Sequence, residues 1–173
     1  MRVGEEAKWI SIDKEAASLY SLLADNKYRE TNIGRGKWKS LLSDSSLQFN
    51  CNMEGFNVIS PTGSSGYAIT RIGIISNNEG DCNSCNSRIG FGSAGFRGQD
   101  NWNSCGNEAL AFMSDNGGRH IKANCYILVQ WSLDSSHRSA PLYLKAYFTV
   151  SEVLILLVIS CKAGTWWAGH FTH

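Results

Sequence analysis

Apolar and polar positions follow two rhythms along this chain. Residues 68–75, AITRIGII, form a short run rich in β-branched side chains, which reads as a strand. Residues 57–60, within FNVIS, and residues 123–130, ANCYILVQ, read the same way. The three are expected to be members of a small, mainly antiparallel sheet. Over residues 13–24 the rhythm changes: Ala16, Leu19, Tyr20, Leu22 and Leu23 recur at helical spacing. That predicts a short amphipathic helix, with Asp13 placed to cap its N-terminus. Trp38, Leu41, Leu42 and Leu47 would tie the following segment to a core, and PTGSSG at 61–66 is a turn by its Pro and Gly content. The expected class is α+β, a small antiparallel sheet carrying long glycine-rich loops.

The stretch after residue 75 carries the candidate chemistry. Asn77, Asn78, Glu79 and Asp81 set amide and carboxylate oxygens at close spacing, and Cys82 and Cys85 follow at once. Such a loop binds a hard cation, is tied down by disulfides, or is simply a solvated hairpin turn. Beyond it come Gly90, Gly92, Gly95 and Gly98, then the amide-rich QDNWNSCGNE. Loops of that length are uncommon in compact domains unless they carry function or are stapled.

Composition narrows the field of partners. The chain has 173 residues, with 16 basic and 15 acidic side chains and no basic stripe, so nucleic acid is not an expected partner. Six cysteines, Cys51, Cys82, Cys85, Cys105, Cys125 and Cys161, point to an oxidising compartment and a secreted, extracellular protein. The five between 51 and 125 are the disulfide candidates. An odd number there leaves one thiol free, paired with Cys161, or paired outside this sequence. The first 20 residues carry glutamates where the apolar core of a secretory signal would stand. Cys82 and Cys85 also form a CxxC, but a structural zinc site wants a second matching pair and a redox motif a βαβ setting. His120 reads as a hydrogen-bonded structural histidine. No acid/base pair or nucleophile stands out, so an enzyme is not expected.

Composition also changes after residue 130, which suggests a domain over 1–130 and a hydrophobic tail over 131–173. The apolar run VLILLVI at 153–159 is bracketed by Glu152 and Lys162, shorter than the about 20 residues a bilayer demands. A membrane anchor, a buried core strand, an interfacial segment and a read-through tail all remain open for it.

Five blocks taken in order resemble the intelectins, calcium-dependent lectins of the wider fibrinogen-related group. They are WKSLLSDSSL from Trp38; the strand from Ile69 followed by Asn77, Asn78 and Glu79; Cys82, Asn83 and Ser84 followed by Ile89, Gly90, Phe91 and Gly92; Cys105, Gly106 and Asn107; and Arg119, His120 and Ile121 leading into the closing strand. The likeness covers about residues 37–130. It implies calcium as cofactor, held in a surface loop, with open positions taken by vicinal hydroxyls of a sugar. Carried over residue by residue, the implied ligands are Asn78, Glu79, Asn83, Asn86 and Asn107, with Glu108 making good the charge missing at Asn107 and Asp100 standing for a glutamate of the glycine-rich linker. Asn86 replaces a histidine and Asn107 an aspartate. Trp102 and Phe96 are candidate stacking platforms for a sugar. The resulting expectation is extracellular, calcium-dependent binding of glycans or glycoproteins. The alternative is a disulfide-rich matrix or adhesion domain in which calcium is structural only.

Overall fold

The computed structural model describes residues 8–61, 67–95, 104–131, 142–149 and 166–168. In chain order the elements are β1 (Lys8–Lys14), α1 (Leu19–Leu23), β2 (Arg29–Glu30), α2 (Arg35–Ser40), β3 (Asn50–Ile59), β4 (Ile69–Asn77), β5 (Ser87–Ser93), β6 (Ser104–Ala109), β7 (Arg119–Lys122), β8 (Asn124–Trp131), β9 (Leu142–Thr149) and β10 (Trp166–Ala168). Among these residues the strands form two sheets, one in the order β1-β9-β8-β10 and one in the order β2-β3-β4-β5-β6-β7. Every recorded pairing is antiparallel. The fold is sheet-rich, with two short helices.

Both sheets bury side chains in one core. Ile10 and Ile12 of β1 cluster with Phe56, Ile72, Ile74, Ile89 and Phe91 of the larger sheet, and Ile127 and Val129 of β8 pack against them. Trp38, Leu41, Leu42 and Leu47, expected as anchors, are all buried in this cluster. A second, smaller cluster of Val58, Ala68, Ile75 and Cys85 is joined by Cys51, Met53 and Cys82.

The three expected strands are present as parts of β3, β4 and β8, but in two sheets rather than one. The expected helix over 13–24 shrinks to Leu19–Leu23, and its cap is Ser18 rather than Asp13. The hydroxyl of Ser18 accepts from the Ser21 N–H at 3.0 Å and the Ser21 hydroxyl accepts from the Ser18 N–H at 3.1 Å, a reciprocal cap. Asp13 lies in β1 instead, where KWISIDK alternates buried Ile10 and Ile12 with exposed Ser11 and Asp13. Pairing with β9 along the whole of β1 holds that run extended.

Two further expectations change. The glycine-rich stretch expected to be loop belongs to strand β5 over residues 90–93, where glycines face glycines across the sheet: Gly55 opposite Gly73, Gly73 opposite Gly90, and Gly90 opposite Gly106. A side chain at Gly73 would stand 2.3 Å from the Ile89 carbonyl oxygen, so this row lets four strands approach closely. The composition break at 130–131 falls inside β8, and β9 lies between β1 and β8 in the smaller sheet. Residues 142–149 are therefore sheet, whereas the apolar run 153–159 lies outside the described residues.

Candidate functional site

The β4–β5 connection, residues 77–86, holds the donor cluster, and β4 delivers it. Isoleucines 72, 74 and 75 bury β4 on both faces, so the strand's end at Asn77 is fixed. Asn77 is itself buried and organises the loop from inside. Its Nδ2 donates to the Asp81 carbonyl at 2.9 Å and to Ser84 Oγ at 3.3 Å, while its Oδ1 accepts from the Asn78 N–H at 3.0 Å. Asparagine suits this place because its short amide mimics a backbone turn.

Glu79 and Asp81 are exposed on this frame. Glu79 Oε1 accepts from Asn78 Nδ2 and Oε2 from the Ser84 hydroxyl at 3.4 Å. Asp81 Oδ1 accepts from the Asn83 N–H at 2.8 Å. A second segment braces the loop: Gln48 Nε2 donates to Asn78 Oδ1 at 3.2 Å and Asn50 Nδ2 to the Asn78 carbonyl at 2.7 Å. Below, Cys82 is bonded to Cys51 with the Cα atoms 5.1 Å apart, and the Ser60 hydroxyl donates to the Cys82 carbonyl at 2.9 Å.

The expected ligands divide by place. Asn78, Glu79 and Asn83 share this one loop. Asn86 closes it, its N–H donating to the Ser76 carbonyl at 3.2 Å, and its buried Oδ1 has no hydrogen-bond partner. Asn107 lies on β6 beneath the Ser45–Gln48 stretch, where Oδ1 accepts from the Ser46 N–H and Nδ2 donates to the carbonyls of Ser46 and Arg88, at 2.8 to 2.9 Å. Those bonds sew a covering segment to the sheet and occupy both ends of the amide. Glu108 follows on the opposite face of β6, cross-strand from Arg88 and hydrogen-bonded to His120 Nδ1. Asp100, Trp102 and Phe96 lie outside the described residues, as does Cys161.

Asp81 and Ser84 join the loop's donor set although the family likeness does not point to them. Asp81 stands in the same oxygen-rich run and was visible by composition; Ser84 and Gln48 carried no signal in the sequence, since only the folded loop turns them toward Glu79 and Asn78.

The remaining thiols are Cys85, which is buried, and Cys105 and Cys125, which are partly so. Burial, with the Asp81 carboxylate and then that of Glu79 nearby, pushes the Cys85 thiol up to about 12. Cys105 on β6 and Cys125 on β8 pack against the main core cluster, and burial raises the Cys125 thiol. Beside β6 and β7 a shallow depression is lined by Arg88, Ser93, Glu108, His120 and Lys122 among others. Arg88 is 2% exposed there and donates to the Gly95 carbonyl.

Among the described residues, no helix is long and apolar enough to cross a membrane. No family model, curated protein or solved structure matches the chain.

Proposed function

We propose that this chain is an extracellular, calcium-dependent carbohydrate-binding module of the fibrinogen-related kind, with the ion seated on the 77–84 loop. The observation that carries the reading is a concentration of oxygen donors on one loop. The carboxylates of Glu79 and Asp81 and the side-chain oxygens of Asn78 and Ser84 belong to one exposed loop, whose base is pinned by Asn77 and by the Cys51–Cys82 bridge. All are oxygen donors, the chemistry calcium prefers over nitrogen or sulfur. Asp81 Oδ2 has no partner among the described residues, and the groups that satisfy Glu79 are an exposed amide and a hydroxyl that an ion can displace at little loss.

Calcium on this loop would offer open coordination positions to a pair of vicinal hydroxyls. The chain's part is to hold Glu79 and Asp81 still and to keep the loop rigid through Asn77 and the disulfide. With two carboxylates the expected affinity is on the order of 10⁻⁴ M, the range of extracellular modules. Asn107 and Glu108 do not enter this ligand set, because each is committed to a structural partner.

A matrix or adhesion domain with structural calcium is the second reading, favoured by the loop's dense internal hydrogen bonding. Chromatography separates the two. Retention of the full chain on an immobilised sugar, with release by a calcium chelator, supports the lectin. A chelator that lowers the melting temperature without any retention on sugar supports the structural role.

A further inference from the structure

Three sulfurs meet under the 77–86 loop. Cys51 and Cys82 are bonded to each other, and the Cys85 Sγ lies 3.5 Å from the Cys51 Sγ and 3.5 Å from the Cys82 carbonyl oxygen. All three sulfurs fall within 4.8 Å of one another. Because two of them are already joined, the cluster offers one thiol rather than three, which argues against a thiolate metal centre in this state. What it does offer is a disulfide with a third thiol in contact.

We infer that Cys85 is an alternative partner for Cys51, so that the bridge can pass from Cys51–Cys82 to Cys51–Cys85 by intramolecular thiol–disulfide exchange. The Cys85 thiol loses its proton to solvent base and the thiolate attacks Cys51 Sγ. The Cys51–Cys85 bond forms as the Cys51–Cys82 bond breaks. Cys82 leaves as a thiolate and takes a proton from solvent. The step is an isomerisation; electrons balance within the three sulfurs and neither oxidant nor reductant enters.

Position gives the exchange a consequence. Cys82 stands between Asp81 and Asn83 inside the donor loop, whereas Cys85 stands at its foot, buried in the smaller core cluster. A bridge to Cys82 tethers the loop at its middle. A bridge to Cys85 tethers only its base and releases the Asp81–Asn83 turn. The bridge sulfur of Cys51, 3.5 Å away, is the electrophile in contact with the Cys85 thiol.

The test is disulfide mapping of the full chain. Protein is held without added thiol at pH 9, quenched in acid, alkylated and digested. The expected result is a Cys51–Cys85 peptide that accumulates with time at the expense of the Cys51–Cys82 peptide, with native circular dichroism retained. A Cys82→Ser variant oxidised with glutathione disulfide should form Cys51–Cys85 and keep a cooperative melt. A wild type that stays Cys51–Cys82 at pH 9 for days, a Cys82–Cys85 product, or a Cys82→Ser protein that leaves Cys51 and Cys85 as free thiols would each overturn the inference.

Discussion

Trp38 and Glu54 form a buried pair in which the indole Nε1–H donates to the carboxylate Oε2 at 2.5 Å. Trp38 is fully buried and Glu54 is 8% exposed. The same carboxylate accepts from the Gly34 N–H at 2.9 Å, at the start of α2, and from the Thr31 hydroxyl at 3.4 Å. A charge is tolerated inside because donors surround it. One side chain of β3 thereby fixes both the helix that carries Trp38 and the strand that leads into the donor loop's neighbour, β4.

Removing that carboxylate strands three donors. Glu54→Ala should lower stability by about 3 kcal/mol, since each buried donor left unmet costs about 1–3 kcal/mol before any relaxation. Glu54→Gln should fall between, because one of its two ends donates where the carboxylate accepted. Urea unfolding midpoints of the three proteins, at constant m, check the order.

Asp115 predicts an acid limb in stability. It pairs with Arg35 at 2.8 Å and with Lys39, and accepts from the Leu47 N–H at 3.1 Å. Burial raises this carboxyl, but Lys39, the Leu47 N–H and Arg35 together lower it to about 2 from 3.8. The folded value is depressed, so the contribution is present above pH 3.8 and is lost as pH falls toward 2. Roughly 2 kcal/mol should disappear over that window. Thermal melts from pH 5 to pH 2 should show it, and Asp115→Asn should be less stable at pH 5 with a flatter slope.

The glycine row predicts a contrast between two positions of the same residue. A Cβ on Gly73 would meet the Ile89 carbonyl oxygen at 2.3 Å and Gly90 Cα at 2.8 Å, both backbone atoms that cannot step aside. Gly73→Ala should therefore cost about 1–3 kcal/mol or more by overpacking. Gly80, in the donor loop, has nothing within 4 Å of its would-be Cβ. Gly80→Ala should stay within about 0.5 kcal/mol of the parent, as surface changes usually do. Differential scanning calorimetry of the two variants decides.

Where hydrophobic pattern and physics coincide, the sequence was legible. The β-branched run over residues 68–75 announced β4, and the Trp38 to Leu47 anchors are buried as expected. Strand β5 was not legible, because glycine has no side chain to show a period and its pairing depends on glycines 16 and 17 residues away. Strand β1 was hidden by the helical spacing that starts at Ala16 and drew the boundary back to Asp13, although Ile10 and Ile12 alternate with polar residues. Of the candidate site, the run from Asn77 to Asp81 could be read directly. Asn107 could not be told from a ligand, because an amide that sews Ser46 to Arg88 and an amide that holds an ion look alike until the covering segment is in place.

Calcium titration of the full chain by isothermal calorimetry, wild type beside Glu79→Gln, tests the central claim most directly. The variant keeps the side chain's size and one acceptor but removes a formal charge from a loop with two carboxylates. Affinity in such loops follows ligand charge count and rigidity. The account predicts a saturable heat in the wild type with a Kd on the order of 10⁻⁴ M, and binding at least about tenfold weaker in Glu79→Gln. Equal affinities would remove the ion from Glu79, and the absence of calcium heat in both proteins would contradict the account.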